Sequence, residues 1–195
     1  QNMMYRHTVT VYDARTMRLV RTIPDTVVLS RFGVRGHPGA SQGAPVEADF
    51  APDGSKAYVT NYSMYGAGFG PEGSDTCSPD SGYDRSYLYR IDTRTWRIDD
   101  VYRVGSVPKV VKVTPDGRFA LVTNWCSWDL SVVSLRRGRV VRTIPVGAYP
   151  RGIVVAPNSR AAYIAVMGDT HLLRVDLRTW RTRTIGIGAG PRALT

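Results

Sequence analysis

Short apolar runs recur along this chain, and turn-forming residues separate them. Within 108–146, the runs are Val110–Val113, Phe119–Thr123, Leu130–Leu135 and Arg139–Ile144. Each run has strand length and is rich in β-branched residues, and no window shows the 3.6-residue apolar period of a helix. The pattern predicts four consecutive antiparallel strands joined by tight turns.

The same four-strand pattern repeats along the chain. Each repeat opens at a proline, and the opening prolines lie 63, 42 and 41 residues apart: Pro45, Pro108, Pro150 and Pro191. In the three complete repeats, the second strand ends 16 residues after its proline, at Asn61, Asn124 and Val166. A fixed period near 40 residues with four short strands per repeat predicts the blades of a β-propeller.

Three third strands end in the same turn signal. An aspartate is followed two residues later by Arg and then Thr, at Asp13, Asp92 and Asp176. An aspartate carboxylate can accept a hydrogen bond from the backbone two residues ahead, so we expect Asx-type turns that lead into the outer strands.

The repeat contains a recognisable motif. Pro-Asp-Gly, three residues and Tyr/Leu-Val-Thr-Asn occupy 52–61 and 115–124. In this the chain resembles the YVTN-type β-propeller family, which includes surface-layer-like propeller proteins, and the resemblance extends over essentially the whole chain. The third complete repeat departs from the motif at Pro157-Asn158-Ser159 and at 163–166, which weakens the turn and keeps the register.

We predict one all-β propeller domain over 1–195, with about four blades' worth of four-stranded antiparallel sheet. Its parts are a partial blade (1–24), a blade (43–104) with an insertion (62–86), two blades (105–146 and 147–187) and the start of another (188–195). A propeller closes its ring to remove exposed sheet edges. The family resemblance implies seven blades, so we expect a piece of a longer chain. A four-bladed ring and a ring made by two chains are the alternatives.

Two connections are much longer than their counterparts, at 25–44 and 62–86. Propeller topology places both on one face, where long loops on a rigid scaffold commonly bind ligands. Aromatic residues accompany them, in the second insertion and in the connection at 124–129: Tyr62, Tyr65, Trp125 and Trp128. We expect these rings to stack on a sugar, peptide or base, or alternatively to pack one loop against the next.

A basic residue follows three of the opening prolines: Lys109, Arg151 and Arg192. These positions lie at the mouth of the predicted channel on the same face, so the three cations could hold an anion or carboxylate. The second blade has Val46 and Glu47 there instead. A packing role for the basic residues is the alternative.

The formal net charge is +10, and arginine supplies 23 of the 26 cations. Such a charge favours anionic partners, which include nucleic acid, acidic lipid, cell-wall polymer and polyanionic glycan. Many arginines fall on the predicted outer strands, where a solvated rim that protects the sheet edge is the competing explanation.

The two cysteines, Cys77 and Cys126, fall in equivalent connections of successive blades. Those connections lie side by side on one face, so we predict a disulfide that stabilises the fold by roughly 4 kcal/mol. Two buried thiols are the alternative. A structural disulfide favours an extracytoplasmic protein. No apolar run is long enough to span a bilayer, and the first residues lack the profile of a signal peptide.

Enzyme signals are weak. Gly39–Gly43 matches G-x-S-x-G, but it lies in a glycine-rich loop with no helix after it. The three histidines are not at metal-ligand spacing, and C-x-x-C-H is absent. Glu47 and Asp49 could supply carboxylates at the channel mouth, although a pairing of Asp49 with Lys112 is the simpler expectation.

These observations favour an exported, non-enzymatic binding module without cofactor or metal. Its loop-bearing face would bind an anionic, carbohydrate-like or protein partner, and nucleic acid is a further possibility. A lactonase-like hydrolase with its site at the channel mouth is one alternative. A redox propeller whose cofactor ligands lie outside this segment is the other.

Overall fold

A computed structural model of the chain describes residues 7–188 and 190–194. This part of the chain is almost entirely β-structure, with two 3-10 helices at Leu29–Phe32 and Pro79–Ser81. The strands are β1 (Thr8–Tyr12), β2 (Leu19–Pro24), β3 (Thr26–Val27), β4 (Ser41–Phe50), β5 (Lys56–Tyr65), β6 (Tyr87–Asp92), β7 (Arg97–Arg103), β8 (Pro108–Val113), β9 (Phe119–Asn124), β10 (Asp129–Ser134), β11 (Arg139–Pro145), β12 (Pro150–Val155), β13 (Ala161–Val166), β14 (His171–Asp176) and β15 (Thr182–Gly186). No helix of the described ranges is long and apolar enough to cross a membrane.

The strands form four antiparallel sheets, which we number I to IV along the chain. Sheet I is β1-β2, sheet II is β3-β4-β5-β6-β7, sheet III is β8-β9-β10-β11 and sheet IV is β12-β13-β14-β15. The inner strands β4, β8 and β12 contact one another in turn, so the sheets stand side by side as successive blades. The predicted all-β architecture of partial propeller type is confirmed.

Apolar side chains fill the spaces between neighbouring sheets. Leu121, Leu130, Ile153, Ile164 and Val175 belong to one buried cluster between sheets III and IV. A second cluster joins sheets II and III and includes buried tyrosines as well as valines. A sheet face is buried only where a neighbouring sheet covers it. The contacts between adjacent blades therefore stabilise the fold.

The threonine of the repeat motif has a structural role at these contacts. The Thr60 hydroxyl donates to the Lys109 carbonyl oxygen at 3.0 Å, and the Thr123 hydroxyl donates to the Arg151 carbonyl oxygen at 2.8 Å. Each bond links the second strand of one repeat to the opening strand of the next repeat. Ala165 occupies the matching register in sheet IV and has no hydroxyl.

The predicted Asx turns are confirmed. Asp13 Oδ1 accepts from the Arg15 amide at 3.1 Å, Asp92 Oδ1 accepts from the Arg94 amide at 3.1 Å, and Asp176 Oδ1 accepts from the Arg178 amide at 3.0 Å. The residue after each threonine has a positive φ, at Met17, Trp96 and Trp180. The repeated turn explains why the outer strands begin at equivalent positions.

The divergent turn of the third complete repeat keeps its geometry. Asn158 Oδ1 accepts from the Arg160 amide at 3.0 Å, as Asp116 Oδ1 accepts from the Arg118 amide at 3.1 Å. Ser159 has a φ of 55°, where Gly117 has 66°. Serine thus occupies a left-handed backbone position that glycine adopts more readily.

The two insertions differ from simple loops. The first contains β3, which pairs with the extended start of β4. The second begins as strand, because Tyr62–Tyr65 continue β5, and Met64 pairs with Gly43 of β4. The insertions therefore add β3 to sheet II and extend β4 and β5 at one end of the sheet.

The segment 190–194 is not a strand, although the sequence predicts an opening strand there. A strand requires a hydrogen-bonded partner along its length, whereas this segment makes two separate backbone bonds, from the Gly152 amide to the Arg192 carbonyl oxygen and from the Gly190 amide to the Asp169 carbonyl oxygen, each at 3.2 Å. Residues 1–6 of the predicted partial blade, and residues 189 and 195 of the predicted next blade, lie outside the described residues.

Candidate functional site

A disulfide fixes the long loop of sheet II to sheet III. Cys77 of the loop and Cys126, which follows β9, are bonded with their Cα atoms 5.3 Å apart. Both cysteines are buried against Val107 and Trp125. The predicted disulfide is thus present, and it holds residues 62–86 over the end of β8.

Lys109 is paired with an aspartate of the same loop. Its Nζ lies 2.7 Å from Asp75 Oδ1, and its side chain is only 8% exposed, whereas that of Asp75 is 71% exposed. The Nζ also stands 4.3 Å from the centre of the Tyr62 ring and 5.3 Å from that of Trp125. These contacts neutralise and cover the cation that the sequence places at the channel mouth.

The pKa values of this pair follow from their unequal burial. Burial acts to raise the pKa of Asp75, but the hydrogen bond and charge of Lys109 outweigh it and the pKa is lowered. Burial lowers the pKa of Lys109 despite its bond to Asp75, and the charge of Arg151 acts in the same direction. Burial therefore disfavours the charged form of Lys109 more than it disfavours the charged form of Asp75.

The two tryptophans have mainly packing contacts. Trp125 is 6% exposed, and its Nε1 donates to the Asp75 carbonyl oxygen at 2.9 Å. Its ring centre lies 4.8 Å from that of Tyr149, and the Trp128 ring centre lies 6.0 Å from the same tyrosine. The Trp128 Nε1 is buried without a hydrogen-bond partner among the described residues. Tyr149 is the half-buried ring that connects both.

Arg151 is the accessible cation of this region. It is half-buried, and its charge acts on both Asp75 and Lys109. Within the described ranges its guanidinium has no hydrogen bond or ion pair. We call Tyr62, Asp75, Lys109, Trp125, Tyr149 and Arg151 the loop cluster.

The remaining candidates lie apart from the loop cluster or at its margin. Tyr65 makes an edge contact with His7, with ring centres 5.0 Å apart. Burial raises the pKa of Tyr65, and its bond to Glu72 adds to the effect. Arg192 is exposed beside Gly152. Ligand binding by the candidate residues therefore stays a prediction.

The two carboxylates that the sequence places at the channel mouth have different surroundings. Asp49 Oδ2 accepts from the Val113 amide at 2.7 Å, and Oδ1 lies 3.9 Å from Lys112 Nζ. The expected pairing of Asp49 with Lys112 is therefore present, while Glu47 is exposed. Across residues 7–188 and 190–194, no group of three or more His, Cys, Asp or Glu side chains could hold a metal ion.

A second polar site lies under the first insertion. Asp25 is 1% exposed, and its Oδ2 and the Oδ1 of Asn61 are buried without partners in the described part of the chain. Both oxygens approach Gly43 so closely that a Cβ there would clash with them. Burial raises the pKa of Asp25 to about 8, so this carboxyl is protonated at neutral pH.

Sequence reasoning missed Asp75, Tyr149 and Asp25 as important residues. Tyr149 directly precedes the opening proline Pro150. An aromatic residue just before an opening proline is the sequence feature that could have indicated it. Asp75 and Asp25 lie in the insertions, where the repeat gives no register. Asp75 pairs with Lys109 of the next blade, and Asp25 lies against Gly43 and Asn61, which are distant in sequence, so nothing in the local sequence marks either aspartate.

Comparison with solved structures reveals propeller folds. Kuenenia stuttgartiensis hydrazine synthase is 27% identical over 76% of this chain and 38% of its own, with a TM-score of 0.63. The dihydro-heme d1 dehydrogenase NirN, in complex with DHE, is 17% identical over 95% and 34%, with a TM-score of 0.61. The Dos1 propeller is 12% identical over 93% and 40%, with a TM-score of 0.62.

These similarities and the blade geometry define the class: the chain has a β-propeller fold. It spans less than half the length of each of these three structures. No family model and no curated protein matches the chain. The YVTN-type assignment therefore remains a resemblance carried by its motif.

Proposed function

We propose that this chain is an exported, non-enzymatic propeller module that binds an acidic carbohydrate through the loop cluster. The main support is Arg151, a half-buried guanidinium without a hydrogen bond or ion pair among the described residues, whose charge acts on Asp75 and Lys109 of the same cluster. A guanidinium binds a carboxylate through two parallel hydrogen bonds, and aromatic rings pack against the apolar faces of sugars. Lys109 and Trp125 hold this arrangement in place.

The shape of the region supports an extended ligand. The cavity inside the long loop, lined by Ser63, Met64, Pro71 and Tyr83, has a volume of only about 10 Å³. Ligand pockets for small molecules usually have at least 300 Å³. A polymer that lies across the loop cluster needs no such cavity.

The disulfide supports export. Disulfides persist in oxidising compartments, and cytosolic proteins rarely keep them. The Cys77–Cys126 bond also restrains the loop that carries Asp75, so binding would cost less ordering entropy than in a free loop.

The test is retention on immobilised polygalacturonate at low salt, with a neutral polysaccharide as the reference matrix. We expect retention on the acidic matrix alone, and about tenfold weaker binding for Arg151→Gln. Arg160→Gln is the matched control, because Arg160 is an exposed arginine at a turn of the same sheet. Equal retention of Arg151→Gln and the parent protein would refute the proposal.

A second candidate function is a propeller unit of a redox enzyme. It is favoured by the 27% identity to hydrazine synthase over three quarters of this chain. The intact natural protein would then carry a redox cofactor with a visible absorption band that bleaches or shifts on reduction. A colourless intact protein would eliminate this candidate. The hydrolase hypothesis has no comparable support, because Asp49 is engaged with Val113 and Lys112.

A further inference from the structure

A cavity of about 650 Å³ lies between the outer parts of sheets III and IV. Its wall includes Arg118, Phe119, Arg136, Arg137, Arg142 and Trp180. The volume is in the usual range for small-ligand pockets. Phe119 is the first residue of β9, whereas the disulfide-bonded Cys126 follows the last residue of that strand. The cavity therefore lies at the opposite end of β9 from the loop cluster.

Four arginines converge on this cavity without an equivalent set of acids. The nearest pairing is between Arg118 Nη1 and Asp116 Oδ2, at 3.7 Å, and the Arg118 side chain is 64% exposed. Arg142 Nη1 donates to the Val141 carbonyl oxygen at 3.2 Å. Within the described ranges, Arg136 and Arg137 have no side-chain partner. Like charges in one concavity repel each other, and a bound anion would relieve that repulsion.

The groove between sheets II and III is a natural contrast. There the Arg90 Nε lies 2.7 Å from Asp99 Oδ1, and its Nη1 lies 3.5 Å from Asp100 Oδ2. Lys56 Nζ lies 2.8 Å from Asp92 Oδ2 in the same network. The chain thus supplies its own carboxylates in one inter-blade groove, whereas in the next groove the described residues offer only the 3.7 Å contact of Asp116 with Arg118.

Protection of a sheet edge does not account for these arginines. Such protection requires charges on the edge strand, which is β11 in sheet III. Arg142 lies on that strand, but Arg136 and Arg137 lie in the turn before it, and Arg118 lies in the turn before β9. Three of the four cations therefore need another explanation.

An aromatic pair forms part of the wall. The Phe119 and Trp180 rings meet edge to face, with centres 5.1 Å apart, and join sheet III to sheet IV. Arg118 Cζ lies 5.1 Å from the centre of the Phe119 ring. Both rings are only half-buried, so they offer an apolar surface next to the guanidiniums.

We propose that this cavity binds a small ligand that carries two or more phosphate or sulfate groups beside a flat apolar ring face. The planar guanidinium forks suit tetrahedral oxyanions, to which they can donate pairs of hydrogen bonds. Phe119 and Trp180 would contact the ring face of the ligand. A nucleoside triphosphate and a sulfated sugar share this chemistry.

Calorimetric titration with ATP and, separately, with sucrose octasulfate tests the proposal. We expect at least one probe to bind with a Kd below about 100 μM. Arg136→Gln and Arg142→Gln should each weaken that binding about tenfold. Arg183→Gln is the matched control, because Arg183 is exposed on the outer strand of sheet IV and is not part of this wall. Arg151→Gln should leave the affinity for ATP unchanged, which separates this site from the loop cluster.

Binding of ATP alone would assign nucleotides, and binding of the octasulfate alone would assign sulfated sugars. The proposal is overturned if neither probe binds at about 1 mM, or if Arg142→Gln binds as well as the parent protein. It is also overturned if Arg183→Gln weakens binding as much as Arg142→Gln, because a general positive field would then explain the effect. Circular dichroism verifies that each exposed variant is folded.

Discussion

The Thr123 hydroxyl of sheet III bonds to the Arg151 carbonyl oxygen of sheet IV at 2.8 Å, and its side chain is fully buried. Thr123→Val keeps the shape and removes the hydroxyl, which leaves a buried carbonyl without its donor. We expect the free energy of unfolding to fall by about 1–3 kcal/mol in urea denaturation. Thr143→Val, on the exposed outer strand of the same sheet, should change it by less than about 0.5 kcal/mol. Equal effects would contradict an inter-blade role for this hydroxyl.

Asp75 and Lys109 should respond unequally to mutation. Asp75→Asn leaves a lysine that is 8% exposed without its carboxylate, whereas Lys109→Met leaves a carboxylate that is 71% exposed and can be solvated by water. We therefore expect Asp75→Asn to destabilise the fold by about 1 kcal/mol more than Lys109→Met. Thermal unfolding of both variants at neutral pH measures the difference. The reverse order would show that the ion pair does not compensate for the burial of Lys109.

The disulfide should contribute substantially to stability. Its loop contains about 50 residues, so reduction should lower the free energy of unfolding by about 2–4 kcal/mol. The measurement is urea denaturation with and without reductant. The Cys77→Ala/Cys126→Ala double variant is the control, because reductant should have no effect on it. No change on reduction of the parent protein would rule out a stabilising role.

Asp25 should make stability depend on pH. Its folded pKa of about 8 lies above the ordinary aspartate pKa of 3.8, so between these two pH values the folded state holds a proton that the unfolded chain loses. The stability from this group is complete below about pH 4 and declines as the pH rises to about 8, by at most roughly 1.4 kcal/mol per pH unit.

Denaturation at pH 5, 6, 7 and 8 measures this slope. Asp25→Asn should flatten it, whereas the exposed Asp80→Asn should not. The nearby groups are His7, which bonds the Gly43 carbonyl oxygen at 2.7 Å, and Tyr89, whose pKa burial raises above its usual value, so that this phenol stays protonated over the range. An unchanged slope in Asp25→Asn would assign the pH dependence to other groups.

The sequence predicts most of the blade architecture because its determinants are local. Pro108, the turn at Asp116 and the threonine at 123 recur at fixed spacing, and each acts on its own strand or the next one. Even the divergent Asn158–Ser159 turn keeps its register, because asparagine accepts the same backbone hydrogen bond as aspartate.

The candidate site was less predictable because its contacts join distant segments. The sequence predicts that Lys109 holds an anion or has a packing role, and only the folded loop brings Asp75, 34 positions earlier in the sequence, to its Nζ. Likewise, the continuation of β5 through Tyr65 depends on pairing with the extended β4. Hydrophobic periodicity identifies strands but does not report which loop folds back over them.

The Cys77–Cys126 bond also affects how the blades lose structure. In a repeat array, opening proceeds one unit at a time from whichever neighbour contact is weakest. This bond ties sheets II and III into one cooperative unit, and with only two cysteines in the chain no other pair of sheets is tied in this way. Amide protons of β9 and β10 should therefore exchange with solvent more slowly than those of β14. The disulfide-linked sheets II and III are therefore expected to open later than sheet IV.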